Sequence, residues 1–130
     1  MIDKEINIFK KNGYLIKKTK NNQSLSYLQK KIYNLLISSK PKLKKISKKN
    51  DPIFFFENLH KYINKKELNE IRILVINKIN KDKLFADNYY ASCKEVLDGL
   101  VGNELAMQKK INLSIQMPYE KKSMLPMHSD

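Results

Sequence analysis

The sequence has no tryptophan, one cysteine, three glycines and a single arginine in 130 residues. Each scarcity excludes something. The lone Cys93 cannot close an internal disulfide, so no disulfide framework staples the fold. That suits a reducing compartment, and a cytoplasmic location is expected. No apolar run approaches the roughly 18 residues that a membrane-spanning helix needs. The opening stretch, MIDKEINIFKK, carries acids and has no apolar h-region, so it does not read as a secretory signal. Acidic residues are few, 13 against 26 basic ones, and the net charge is +13. Hydrophobic residues make up 42%, too many for a disordered tail and enough for one globular core.

The positive charge is uneven. Residues 1–50 hold 14 Lys against Asp3 and Glu5, whereas residues 51–130 are nearly balanced. A basic half of this kind raises the question of a polyanion partner. The identity of the residues argues against one. Readers of nucleic acid favour Arg for bidentate contacts to bases and phosphates, and Arg72 stands alone here. Lys, Asn and Ile are also the residues of AT-rich codons. The charge is therefore read as a solvated surface, with a small basic nucleic-acid-binding or protein-interaction module as the alternative.

Periodicity predicts helices first. Ile2, Ile6 and Phe9 share a face, with Asp3 at the start and Gly13 past the end. Tyr14-Leu15-Ile16 reads as a short strand. Ser24 reads as the cap of a second helix, faced by Leu25, Leu28, Ile32, Leu35 and Leu36 and stopped by Pro41. Residues 40–52 read as an exposed loop. Phe54, Phe55 and Phe56 read as core. Asn64 and Glu67 have the spacing of a capping box, ahead of Leu68, Ile71, Leu74, Val75 and Ile79. Asp82 caps a last helix, ended by Gly99 and Gly102. After Gly102 the period becomes two: Leu105, Met107, Ile111, Leu113, Ile115 and Met117 alternate with polar residues, as on half-buried strands.

The chemistry-bearing feature is His128-Ser129-Asp130. On an extended strand, residues i and i+2 project from one face. An imidazole beside a carboxylate is two-thirds of a 2-His-1-carboxylate facial triad, the donor set that suits non-haem Fe(II). On spacing alone, a surface His beside an Asp looks the same. The other histidine, His60, lies in the helical part and reads as a packed residue. Cys93 lacks the neighbours of a zinc site.

From Asn58-Leu59-His60-Lys61-Tyr62-Ile63 onward the chain resembles the N-terminal half of a phytanoyl-CoA dioxygenase-like Fe(II)/2-oxoglutarate oxygenase. It is most similar to the bacterial group found in surface-carbohydrate biosynthesis clusters. The resemblance rests on LVGNELAMQKKINLSIQMP at 100–118 and SMLPMHSD at 123–130, with FKKNGYLI at 9–16 like the start common to the superfamily.

The resemblance implies an α+β fold. Residues 1–103 would form the N-terminal helical region, and 104–130 the first strands of a double-stranded β-helix, or jelly roll, broken off at the metal-binding strand. It implies His128 and Asp130 as iron ligands, with Fe(II) and 2-oxoglutarate as the cofactors of the complete enzyme. Gln116 is carried as a candidate for the 2-oxoglutarate pocket, with a solvent-facing strand Gln as the other reading. The family's distal His and its carboxylate-clamping basic residue have no counterpart in these 130 residues, and Arg72 does not match the clamp. The expectation is an N-terminal fragment of a dioxygenase, from a truncated reading frame and inactive alone. The implied substrate is a small molecule, a sugar or sugar-nucleotide intermediate.

Overall fold

The computed structural model describes residues 3–47, 51–102, 106, 108–116 and 118. Five α-helices make up most of these: α1 (Asp3–Asn12), α2 (Asn22–Ser39), α3 (Pro52–Asn58), α4 (Lys65–Ile79) and α5 (Lys83–Val101). Two short 3-10 turns, Pro41–Lys45 and Leu59–Lys61, join them.

Local chemistry sets the helix ends. Gly13, at φ 76°, ends α1 and donates its N–H to the Phe9 carbonyl at 2.8 Å. The Asn64 side chain accepts from the Glu67 N–H, and the Glu67 carboxylate accepts from the Asn64 N–H at 3.2 Å, a reciprocal capping box. Asp51 caps α3 and Asp82 caps α5 through the N–H groups of Ile53 and Phe85. For α2 the cap is Asn21, not Ser24. Asn21 Oδ1 accepts from the Ser24 N–H at 3.0 Å, and Ser24 sits buried in the first turn.

The core forms where α2 packs on α3, α4 and α5. Leu36, Leu43, Phe55, Ile71 and Val75 are fully buried. Phe55 meets Tyr33 and Phe56 edge to face, at centroid distances of 5.0 and 5.6 Å. Residues 40–47 are not an exposed loop. Leu43 and Ile46, three apart on a 3-10 turn, both point into the core. Leu74, expected inward on α4, is half exposed, and Gly99 lies within α5 rather than at its end.

The expected α+β architecture is overturned: among the described residues there is no strand and no sheet. Tyr14-Leu15-Ile16 pairs with no other backbone among the described residues, and Ile16 is 90% exposed. The period-two pattern itself is kept over 111–116. Ile111, Leu113 and Ile115 pack against the helical core, while Asn112, Ser114 and Gln116 face solvent. Alternation reports which side is wet. A strand needs a neighbouring backbone as well, and a strand's own sequence does not carry one. The boundary expected at 103/104 and the tail 119–130 lie outside the described residues.

Four lysines of the basic half pair with acids of the second half. Lys20 meets Glu95 at 2.7 Å, Lys31 meets Asp82 at 2.6 Å, Lys40 meets Glu70 at 3.8 Å and Lys42 meets Glu67 at 2.6 Å. Their lysine partners, through side-chain hydrogen bonds, hold the carboxyls of Glu67, Asp82 and Glu95 below the ordinary range. The unfolded chain then binds protons first as pH falls. Stability from these groups is full above the ordinary carboxylate value and is lost as pH drops through the lowered ones. Lys20 and Lys31 are raised by the same bonds, so the alkaline loss comes above the ordinary lysine value. A melting-temperature series should be flat from about pH 5 to about pH 9 and fall on both sides.

Candidate functional site

The structure brings no metal-binding constellation together among the described residues. His128 and Asp130 lie outside those residues. His60 sits on the 3-10 turn Leu59–Lys61, half-buried and distant in sequence from both. Gln116 lies exposed on the outward face of segment 111–116 and lines neither of the two clefts along α5.

What the fold does build is a seat for that segment. Asn80 closes α4 by donating Nδ2–H to the Ile76 carbonyl at 2.8 Å. The same side chain reaches 31 residues along the chain. Nδ2 donates to the Ile111 carbonyl at 2.8 Å, and Oδ1 accepts from the Ile111 N–H at 2.7 Å. This is the paired exchange that a neighbouring strand residue makes in an antiparallel ladder, supplied here by one side-chain amide. Two turns earlier on α4, the Arg72 guanidinium donates to the Leu113 carbonyl at 3.4 Å and is braced by Asn69 Oδ1 at 3.0 Å. The carbonyls of 111 and 113 thus turn to one edge, as residues i and i+2 of extended backbone do.

Sequence reading missed Asn80. It stands in Ile79-Asn80-Lys81-Asp82 and looks like a turn residue only. Arg72, the single arginine, proves to be a brace for the backbone.

Between residues 108–112 and α5 lies an open cleft of about 700 Å³, lined by Tyr89, Tyr90, Cys93, Leu97, Ile111 and Asn112 among others. Cys93 is half-buried there, and its Sγ lies 3.4 Å from the Tyr90 carbonyl. Burial pushes its thiol above the ordinary value, which keeps it protonated and a poor nucleophile at neutral pH. A smaller polar cleft of about 330 Å³ separates residues 17–21 from the middle of α5. Hydrogen bonds from Thr19 Oγ1 to the Ser92 carbonyl (2.7 Å) and from Asn21 Nδ2 to the Ala91 carbonyl (3.3 Å) fasten its walls. Two of its three lysines, Lys17 and Lys20, already hold Glu5 and Glu95, so their charge is largely spent within the chain.

No helix among the described residues is long and apolar enough to cross a membrane. No protein-family model, no curated protein and no solved structure matches this chain.

Proposed function

We propose that the chain is the helical N-terminal part of a non-haem Fe(II)/2-oxoglutarate-dependent dioxygenase, acting on a sugar or sugar-nucleotide intermediate of surface-carbohydrate biosynthesis. The observation that supports this reading most is the seating of 111–116. It lies within 100–118, one of the blocks that carry the family resemblance. It lies extended on the helical layer, apolar side in and polar side out, shortly before His128-x-Asp130. A rigid helical platform beneath such a segment is what a site needs if its ligands follow on the same chain.

In this reading His128 and Asp130 hold iron, and Gln116 is a contact for 2-oxoglutarate. Bound iron would supply a centre for oxygen activation. The chain's own part is to fix an imidazole and a carboxylate at i and i+2. The reading further requires a second histidine ligand and a basic clamp for the cosubstrate, which these 130 residues do not supply. Two protein ligands leave the metal's geometry unset, so the 130-residue chain should not turn over.

The test is succinate release with Fe(II), ascorbate, 2-oxoglutarate and oxygen. The 130-residue chain should release no more than a protein-free blank. The polypeptide encoded by the reading frame extended past codon 130 should carry a further His and a basic residue. It should release succinate, and lose at least a hundredfold in His128→Ala and Asp130→Ala. Turnover by the 130-residue chain, an extension without those residues, or full activity in His128→Ala contradicts the reading.

A further inference from the structure

Residues 14–20 join α1 to α2, and their inner side is fastened. The Lys17 ammonium meets the Glu5 carboxylate at 2.8 Å, and its side chain is only 25% exposed. Thr19 donates to the Ser92 carbonyl at 2.7 Å, and Leu15 is half-buried. The residues between them face out. Tyr14 is 62% exposed and Ile16 90%, and Lys18 and Lys20 are exposed too. A single exposed isoleucine is ordinary on a protein surface. Here the usual order is inverted: a lysine and a threonine turn inward and make bonds, while an isoleucine and a tyrosine meet water. The helix before this segment has no buried residue, and its exposed Ile8 lies on one face with the exposed Lys4 and Lys11.

The charge selects the partner. Residues 1–20 hold six Lys against Asp3 and Glu5. Glu5 and Glu95 hold Lys17 and Lys20, so Lys4, Lys10, Lys11 and Lys18 are the source of the field. The surplus cannot be neutralised within the chain. With every one of the 13 acids of the whole sequence paired to a basic residue, 13 of the 26 basic residues would still lack a counter-charge. An ammonium is a point charge that needs no fixed geometry, whereas a guanidinium fork reads one phosphate or carboxylate bidentately. Lysines around exposed apolar side chains therefore suit a diffuse anionic surface with an apolar layer beneath it. The headgroup boundary of an anionic bilayer has both. A nucleic acid offers the charge but no apolar layer for Ile16.

We propose that residues 4–20 dock on an anionic lipid surface, with Ile16 and Tyr14 entering the headgroup layer and Lys10, Lys11 and Lys18 attracting its anions. The proposal goes beyond the oxygenase reading and stands without it. It concerns attachment to one leaflet, not a span. Both signals are needed, because two apolar side chains bind weakly and each lysine adds on the order of fivefold.

The experiment is flotation of the full 130-residue chain with vesicles of phosphatidylcholine alone, or with about 30 mol% phosphatidylserine, at physiological salt. The anionic vesicles should bind at least tenfold more tightly. Affinity for them should fall at least tenfold in Ile16→Ser, and equally in the Lys10→Gln, Lys11→Gln, Lys18→Gln triple variant. All four positions are exposed, so far-ultraviolet circular dichroism should match the parent in each. Two controls make the same changes elsewhere. Ile53→Ser alters an isoleucine that is 60% exposed on α3. The Lys44→Gln, Lys45→Gln double variant alters the turn at the far end of α2. That helix, 18 residues long, spans about 27 Å, well beyond the ~8 Å screening length. Both controls should bind within about threefold of the parent.

No binding to either vesicle, or equal binding to both, overturns the proposal. So does affinity unchanged in Ile16→Ser or in the triple lysine variant, or an equal loss in either control. A dimer of the lipid-free chain that Ile16→Ser disperses would assign the surface to a second copy and would overturn it too.

Discussion

Replacing Phe55 by alanine is expected to cost about 3–5 kcal/mol of folding free energy, read as a lower midpoint in urea unfolding. Phe55 is fully buried at the centre of the contacts that α2 makes with α3. Its ring stands edge-on to Tyr33, at an interplanar angle of 86°, and to Phe56. Removing it takes away both aromatic contacts and leaves a void. The void cannot close easily, because α3 is a seven-residue helix held in place by its Asp51 cap and the proline that follows. Domains of this size hold about 5–15 kcal/mol in all, so the variant should lie near its unfolding threshold at room temperature. Ile53→Ala, on the same helix but 60% exposed, is the control and should shift stability by less than about 0.5 kcal/mol. Equal losses in the two variants would contradict the assignment of Phe55 as the core residue of α3.

Replacing Asn80 by alanine should release segment 111–116 from α4. Two hydrogen bonds to Ile111 are lost, and the Ile111 N–H and C=O are left part-buried without partners. The expected cost is about 1–3 kcal/mol. The consequence is larger locally than globally. Once Ile111 is free, only the 3.4 Å contact from Arg72 holds the backbone of the segment among the described residues. Burial of Leu113 and Ile115 then has to oppose the entropy of the freed chain alone. Exchange of the Ile111 amide should accelerate at least tenfold while amides in α2 and α4 keep their rates. An Asn80→Ala protein with unchanged Ile111 exchange would show that apolar packing, and not the amide clasp, seats the segment.

The helix ends were legible because their chemistry is local. Asn64 with Glu67, Asp82 ahead of Phe85, and Gly13 after Phe9 act within a turn of where they stand in the sequence. Ser24 misled because Asn21-Asn22-Gln23-Ser24 offers several capping side chains in one window. Tertiary burial of Ser24 left Asn21 as the cap. Residues 40–47 misled because five charged or proline positions masked Leu43 and Ile46, whose spacing of three is that of a 3-10 turn.

The strands failed for a different reason. The wet and dry sides of 111–116 were readable, but the ladder was not, since it depends on groups far away in sequence. Here those groups are the side chains of Asn80 and Arg72. The expected iron site rests on donor chemistry alone: a carboxylate two residues from an imidazole is compatible with part of a facial triad and fixes no position in space.

Anaerobic equilibrium dialysis of Fe(II) against the 130-residue chain tests the central claim most directly. Two ligands on one segment should hold one iron per chain weakly. The account predicts at least a tenfold loss of that binding in His128→Ala and in Asp130→Ala, with His60→Ala unchanged. Binding that survives both substitutions, or that falls in His60→Ala instead, would contradict it.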